Sequence, residues 1–560
     1  MTVDGSMGVD ELRGIAGLPL LDHVSGNAAY RAEIAVKKGG VDVLLDSDLL
    51  GVVSTLPAPL SKSAGEAMPL HVENSLLPAP EATGKRGTIV RDQVRVTLGS
   101  IASMRLIRRK QGAKYVLERA ALGLGRPAKA MPESGISVGI STGVLDVDAW
   151  QQALRGNKNT ADEGSSSSAP GPGLPVVVSL KAGELVVSGW RYHDVALAVS
   201  GESPRWGATL LSREAAGGFK WDGTDAGKLT ARLSKWRLPG KSDRPITPVE
   251  PGDALQELPA LDIVVDEFAV GIHRFGRLEA QAHNEGGIWR LDKVELLNPA
   301  GKLSGTGQWQ VANGNRTQLD FALESNDVGK LLDRLGYPGG VRGGSSSMKG
   351  KLGWNGPPEG LDYATLSGDM QLEARKGEFL KLNPGAAGKL LGLISLQGLP
   401  RRLALDFGDV FSEGFAFDSI SGKMKVKEGV MRTDHLQIDG PAARVVMSGE
   451  TDLKNETQRL KVNIQPELSS SAALGVAVIN PLAGMATLLA NKVLQNPLNK
   501  LFSFEYLITG KWDDPKVVQL TGANAPAEAE AEAEAAGAGA GAARAEPNPD
   551  GGDRSKYPNP

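Results

Sequence analysis

Strict alternation of apolar and polar residues is what most limits the folds open to this chain. Gln458–Pro466 reads QRLKVNIQP, in which Leu460, Val462 and Ile464 alternate with Lys461, Asn463 and Gln465. A period of two places every second side chain on one face of an extended strand, so this segment reads as a half-buried strand with one apolar face. Gln318–Glu324 repeats the pattern with Leu319, Phe321 and Leu323 on one side, and Lys228–Leu233 does so with Leu229, Ala231 and Leu233. Glu184–Trp190 (ELVVSGW) and Lys114–Leu117 (KYVL) fit strands less cleanly. Segments of about five to ten residues, punctuated by Gly, Asp or Asn, recur as they do in antiparallel meanders. The fold class expected is mainly β, an antiparallel sheet of repeated strand units.

An internal repeat supports this. Glu285–Gln310 (EGGIWRLDKVELLNPAGKLSGTGQWQ) lines up with Glu428–Leu453 (EGVMRTDHLQIDGPAARVVMSGETDL). In each, a Gly turn opens a strand, a Pro-containing break follows, and an alternating strand comes next. Stacked repeats of this kind bury a continuous apolar face. The alternating segments are interrupted at 157–175, which is Ser/Gly/Pro-rich, at the Pro-rich 239–259, and at the loop tip Gly339–Ser347. The expected organisation is therefore β segments at 1–156, 176–238 and 260–521, with a flexible loop at 157–175 and a connection at 239–259. The tail, 522–560, is a Glu/Ala/Gly tract with almost no large apolar residue, and it cannot offset the entropy of ordering.

Little in the chain points to catalysis. It has no cysteine, which excludes disulfides, Cys-ligated zinc and thiol chemistry. A formal charge of −3 argues against a nucleic-acid partner, which needs clustered Lys and Arg. Gly135-Ile136-Ser137-Val138-Gly139 spells the serine-hydrolase elbow, but that elbow needs a helix after it, and Ile140–Val147 reads as a strand. Nothing marks His193, His273, His283 or His435 as a base, and the six histidines do not fall at metal-ligand spacing. Gly240-Lys241-Ser242 lacks the upstream glycine of a phosphate loop. Asp262 and Asp266 read as the solvent face of strands. No enzyme activity, cofactor or metal is expected.

Helices are expected near 384–397 and 469–501. Asn-Pro occurs at 383–384, 480–481 and 496–497 before helix-compatible runs, and Asn is a favoured cap with Pro a favoured first residue. The alternative at each is a plain turn. The first helix carries Leu390, Leu391 and Ile394 on one face, with Leu393 and Leu396 beside them, so it is buried or in lipid. Leu468–Asn491 holds no charged residue, which matches the length of a membrane span, but Asn480-Pro481 interrupts it. From Pro481 to Gln495, Leu482, Met485, Leu489 and Val493 lie opposite a polar stripe at Thr487, Asn491 and Gln495, and Leu474 and Val478 are apolar contact candidates before the break. Three placements stay open: contact with a membrane surface, packing on the sheet's own apolar face, and a true span.

Gly388–Asp406 (GKLLGLISLQGLPRRLALD) is followed by a run of strands through Leu453 that includes the turn segment GKMKVKEG. A short apolar helix, the pair Arg401-Arg402 and then Gly-punctuated strands resembles the C-terminal part of the AsmA-like envelope proteins, in particular their YhdP branch. The likeness is most specific over 361–517 and weaker over 1–360. It implies an elongated, curved β-groove that carries phospholipid between the inner and outer membranes of a Gram-negative cell and supports the outer-membrane barrier. It also implies a periplasmic, membrane-associated location, with the C-terminal end at the outer membrane. The polar start, with no signal peptide, is then expected to lie inside a longer protein whose relatives begin with an inner-membrane helix. Groove candidates are Leu229, Leu233, Leu319, Phe321, Leu323, Leu460, Val462 and Ile464. Arg401 and Arg402 are phosphate-contact candidates, since a guanidinium suits phosphate oxygens; compensation of the helix C-terminus is the alternative. Two further readings stay open. A scaffold for outer-membrane assembly would pair client strands at a sheet edge. The same alternation also fits a sandwich core.

Overall fold

The structure is a computed structural model, and it describes residues 1–16, 19–37, 40–77, 90–112, 114–154, 173–238, 258–310, 315–358, 360–380, 414–466, 503–512 and 514–520. These residues form 27 strands, three short α-helices and one 3-10 turn at Pro19–His23, in two units. The first unit is Met1–Leu319 with Arg334–Gly336, and the second is Asp320–Asp333 with Tyr337 onward.

In the first unit the chain lays down β1 (Thr2–Gly8), α1 (Val9–Ala16), β2 (Val24–Lys37), β3 (Gly40–Ser47), β4 (Val52–Ser54), β5 (Leu70–Leu76), β6 (Arg91–Leu98), β7 (Ala102–Gln111), β8 (Lys114–Leu124) and β9 (Gly135–Asp146). After α2 (Val147–Leu154) come β10 (Val176–Val187), β11 (Trp190–Glu202), β12 (Arg205–Leu211), β13 (Ala215–Asp222) and β14 (Lys228–Leu238). Then follow β15 (Ala260–Val270), β16 (His273–Glu285), β17 (Ile288–Asn298) and β18 (Gly301–Gln310). Apart from the short β4, which pairs with the start of β2, each strand pairs with the next in chain order. β19 (Arg316–Ser325) crosses the division between the units.

Three pairings are parallel, β8–β9, β9–β10 and β14–β15, so the sheet is mixed. Parallel neighbours cannot be joined by a tight turn and need a connection of about a dozen residues. That requirement explains why 157–175 and 239–259 interrupt the alternation: they lie between β9 and β10 and between β14 and β15. α2 sits in the first of these connections. Asp146 caps it by accepting the Ala149 N–H at 2.9 Å. Asp148 fastens it to the β10–β11 turn by accepting the Ser188 and Gly189 N–H groups at 2.7 and 2.8 Å.

The second unit holds α3 (Val328–Arg334), of which Arg334 belongs to the first unit, and β20 (Val341–Asn355), β21 (Ser367–Phe379), β22 (Phe415–Lys427) and β23 (Val430–Asp439). β24 (Ala443–Asp452), β25 (Thr457–Pro466), β26 (Phe504–Lys511) and β27 (Pro515–Gln519) complete it. All pairings from β20 to β27 are antiparallel.

The repeat seen in the sequence is a repeat in the backbone. β16–β17 is joined by Gly286-Gly287 and β22–β23 by Glu428-Gly429. All four turn residues have positive φ, the geometry of a type I′ hairpin. Each copy then carries a bulge at the same place. The register slips by one residue between Leu291 and Val294 in β17, and between Thr433 and Leu436 in β23. The weakly strand-like Glu184–Trp190 is a hairpin too, turning at Ser188-Gly189, both at positive φ.

Candidate functional site

Strand pairing converts the scattered alternation of the first unit into rows. One row runs through Val3, Ala32, Leu45, Val72, Val96, Met104, Leu122, Val138, Val178, Val199, Ala208, Phe219, Ala231, Ile263, Ala280, Val294 and Gly305, each the direct partner of the next. It crosses every strand from β1 to β18 except β4, and no polar side chain breaks it. At about 4.8 Å between strands, the row follows the sheet for roughly 75 Å. A second row two residues away repeats it as Ile140, Leu180, Leu197, Leu210, Gly217, Leu233, Val265, Leu278, Leu296 and Leu303.

Burial tells what these rows pack against. In the first row only Ala32 and Ala231 are fully buried, and the rest are half-buried. The apolar packing beneath is local, in small clusters such as Leu180, Ala182, Leu185 and Val195, or Ala231, Leu233 and Val265. A sandwich core would shut these side chains away under a second sheet. All described strands of this unit instead join one ladder, and the apolar face stays accessible. The second unit is the contrast. There Ile438, Met447, Val462, Ile464 and Ile508 are at most 2% exposed, inside one cluster with Phe379, Phe415 and Phe417.

The opposite face of the first unit is held by cross-strand ion pairs. Arg31 meets Asp4 at 2.7 Å, Arg95 meets Glu73 at 3.1 Å, Arg232 meets Asp262 at 2.8 Å and Lys293 meets Glu279 at 2.7 Å. The hydrogen bonds from Lys293 and then Arg277 hold the Glu279 carboxyl below its usual range, and Arg232 does the same to Asp262. Exposed pairs of this kind contribute little to stability, but they keep this face in water and leave the apolar rows on the other.

One polar group interrupts the apolar face near its border. Asp92, in step with Val94 and Val96 on β6, is only 2% exposed. Arg108 of β7 donates to both of its oxygens, at 3.1 and 2.6 Å, and its guanidinium lies 4.9 Å from the Tyr115 ring centre. The sequence gives no sign of this pair, because Asp92 and Arg108 meet only through the β6–β7 register.

The residues singled out from the sequence fall in different settings. Leu229 is half-buried and Leu233 buried, both on the apolar side of β14. Leu319, Phe321 and Leu323 are half-buried on β19. Leu460, Val462 and Ile464 are in the closed cluster of the second unit. Leu390, Leu391, Ile394, Arg401, Arg402, Leu474, Val478, Leu482, Met485, Leu489 and Val493 lie outside the described residues, as do both expected helices. Gly135–Gly139 lies inside β9, which runs on as a strand to Asp146. His193, His283 and His435 bond to Glu214, Asp292 and Gln437, and His273 to the Leu335 carbonyl. Among the described residues no three His, Asp or Glu gather as a metal site, and no helix is long and apolar enough to cross a membrane.

Comparison with known proteins gives one consistent answer. The family described as YhdP protein matches residues 1–517. The chain is 26% identical over 516 residues to the intermembrane phospholipid transporter YhdP of Escherichia coli (strain K12). That alignment covers 88% of this chain and 39% of the relative, so the chain spans about two fifths of that protein's length. No solved structure matches.

Proposed function

The chain belongs to the YhdP family, and on that premise we propose that it carries phospholipid between the inner and outer membranes of a Gram-negative envelope, with acyl chains along the apolar rows of its first unit and head groups in water. The single observation that carries this reading is the row from Val3 to Gly305, continuous, apolar and only half-buried. Each methylene taken out of water there contributes about 0.8 kcal/mol. Neighbouring positions along the row are chemically alike, so a chain sliding by one strand exchanges one apolar contact for another at small cost. The work needs no catalytic group. The gain is burial, and it is spread over the whole row.

On this reading the protein acts in the periplasm, bound to membranes. The apolar segments holding Leu390, Leu391 and Ile394, and Leu474, Val478, Leu482, Met485, Leu489 and Val493, are proposed to supply membrane contact or a lid. Arg401 and Arg402 receive lipid phosphate. We place the C-terminal end at the outer membrane. Leu229 and Leu233 belong to the proposed groove, and Leu319, Phe321 and Leu323 are proposed as further apolar lipid contacts on β19. Leu460, Val462 and Ile464 form the closed floor of the second unit rather than an open lining.

The test is native mass spectrometry of the full 560-residue chain, purified from a bacterial host without harsh detergent, with extraction of what it carries. Several phospholipids per chain are expected. A folded, monodisperse protein free of lipid would contradict the proposal. Replacing Arg401 and Arg402 together by Ala should reduce the lipid load, and an unchanged load in a folded protein would remove those two residues from the mechanism.

A further inference from the structure

The two copies of the bulged hairpin differ in charge at the same positions. Their registers align Leu291-Asp292-Lys293 with Thr433-Asp434-His435, so each polar-face position of one copy has a counterpart in the other. In the first copy Lys293 is held between Glu279 and Glu295, at 2.7 and 3.7 Å, and His283 bonds Asp292 at 2.7 Å. In the second copy the counterparts of Glu279 and Glu295 are Ser421 and Gln437, partners of each other just as the two glutamates are. The counterparts of Gln281 and His283 are Lys423 and Lys425. Two carboxylates have gone and two ammonium groups have arrived.

The change surrounds a recess. A cavity of about 490 Å³ opens on this face of the second unit, lined by Lys423, Lys425, Arg432, His435, Ser421 and Gln371 among others. A smaller one of about 260 Å³ shares Arg432 and adds Arg459 and Lys461. Of the acids nearby, Glu450 accepts from Arg432 at 2.6 Å and Glu505 pairs with Lys461 at 2.9 Å. Asp434 also lines the recess and Asp369 is the cross-strand partner of Lys425, neither of them in an ion pair among the described residues, and Glu373 accepts from Gln371 at 3.1 Å. Among the described residues Lys423, Lys425 and Arg459 form no ion pair. The bulge in β23 breaks the regular ladder beside the recess, and Gly422 and Gly449 let neighbouring groups close in, since a Cβ would lie 2.4 Å from Leu436 and 2.2 Å from the Arg459 carbonyl oxygen. Unpaired cations around a concavity raise the local concentration of anions, and ammonium groups suit phosphate oxygens as point charges.

We propose that this recess is a binding site for a phosphate-bearing anion, held by Lys423 and Lys425, with Arg459 in the smaller cavity that shares Arg432 with it, on the polar face and apart from the apolar rows. Free phosphate and the head group of an anionic lipid share the chemistry required. The site does not depend on acyl chains entering the first unit, so it stands or falls separately from the transport reading.

The test uses the full chain and two double variants that restore the first copy's chemistry in different ways. Lys423→Gln with Lys425→His removes the cations, and Ser421→Glu with Gln437→Glu returns the carboxylates. Inorganic phosphate is titrated and followed by phosphorus NMR, and binding to phosphatidylglycerol and phosphatidylcholine vesicles is measured by flotation. Circular dichroism checks that both variants fold. A saturable phosphate signal that weakens at least tenfold in both variants supports the site and identifies a free anion as sufficient. No phosphate signal, but selective loss of phosphatidylglycerol binding in both variants, supports it with a head group as the ligand. Wild-type behaviour of either folded variant in both assays overturns it.

Discussion

A carboxylate set into the apolar row should damage function more than folding. Phe219 and Ile263 are half-buried and face an accessible surface, so Phe219→Asp or Ile263→Asp leaves its charge partly in water and the sheet intact. The expected result is a several-fold drop in co-purified phospholipid with unchanged circular dichroism, and an unchanged load would argue against the row as the carrier. The closed cluster of the second unit should behave in the opposite way. Ile464 is 1% exposed, so Ile464→Ala should cost about 2–5 kcal/mol in denaturant unfolding of that unit. Asp92→Ala would strand the Arg108 guanidinium on the apolar face and should cost about 1–3 kcal/mol. Acid should act through residues such as Glu214. Burial pushes its carboxyl up, but the His193 backbone N–H and imidazole, both at 2.8 Å, outweigh burial and hold it low. A carboxyl lowered by folding stabilises fully above its unfolded value, about 4.3, and loses that contribution as pH falls through its folded value. Stability measured against urea should therefore fall below about pH 4.3, and less steeply in Glu214→Gln.

At the scale of elements, the hairpins are set by their turns. Gly429 has φ +79° and a Cβ there would lie 2.3 Å from the Tyr363 carbonyl oxygen. Its counterpart Gly287 has φ +81° but open space around it. Gly429→Ala should therefore release the amide protection of β22–β23 far more than Gly287→Ala releases that of β16–β17, by hydrogen exchange. Equal effects would mean that backbone strain alone decides, about 1 kcal/mol at each. The elements differed in how legibly the sequence wrote them. β25 could be read directly, because Leu460, Val462 and Ile464 alternate without interruption. Glu184–Trp190 could not, because Ser188-Gly189 folds an apparent strand into two. The repeat was visible in its spacing, although its bulge was not, since Asp292 and Asp434 look like ordinary polar positions until the register across the hairpin is known.

At the scale of the molecule, the sequence supplied the fold class, while the proposed site came from pairing. The row from Val3 to Gly305 mixes Ala, Gly, Ile, Leu, Met, Phe and Val, and no local pattern links residues so far apart in the chain. The parallel crossings at β8–β9, β9–β10 and β14–β15 keep that row in step across the long connections, which read only as breaks in the alternation. What separates the two units is accessibility: half-buried apolar rows in the first, a sealed cluster in the second. On the proposed function, acyl chains run along the first unit and the second unit supplies structural closure. The most direct measurement is site-specific photocrosslinking to radiolabelled phospholipid in cells, with the photoreactive residue placed singly at Val138, Phe219 or Ile263 and, as controls, at their polar-face neighbours Ser137, Lys220 and Asp262. Labelling from the three apolar positions and not from the three controls is the predicted result. Labelling that ignores the face, or that is absent from the row in a folded protein, would contradict it.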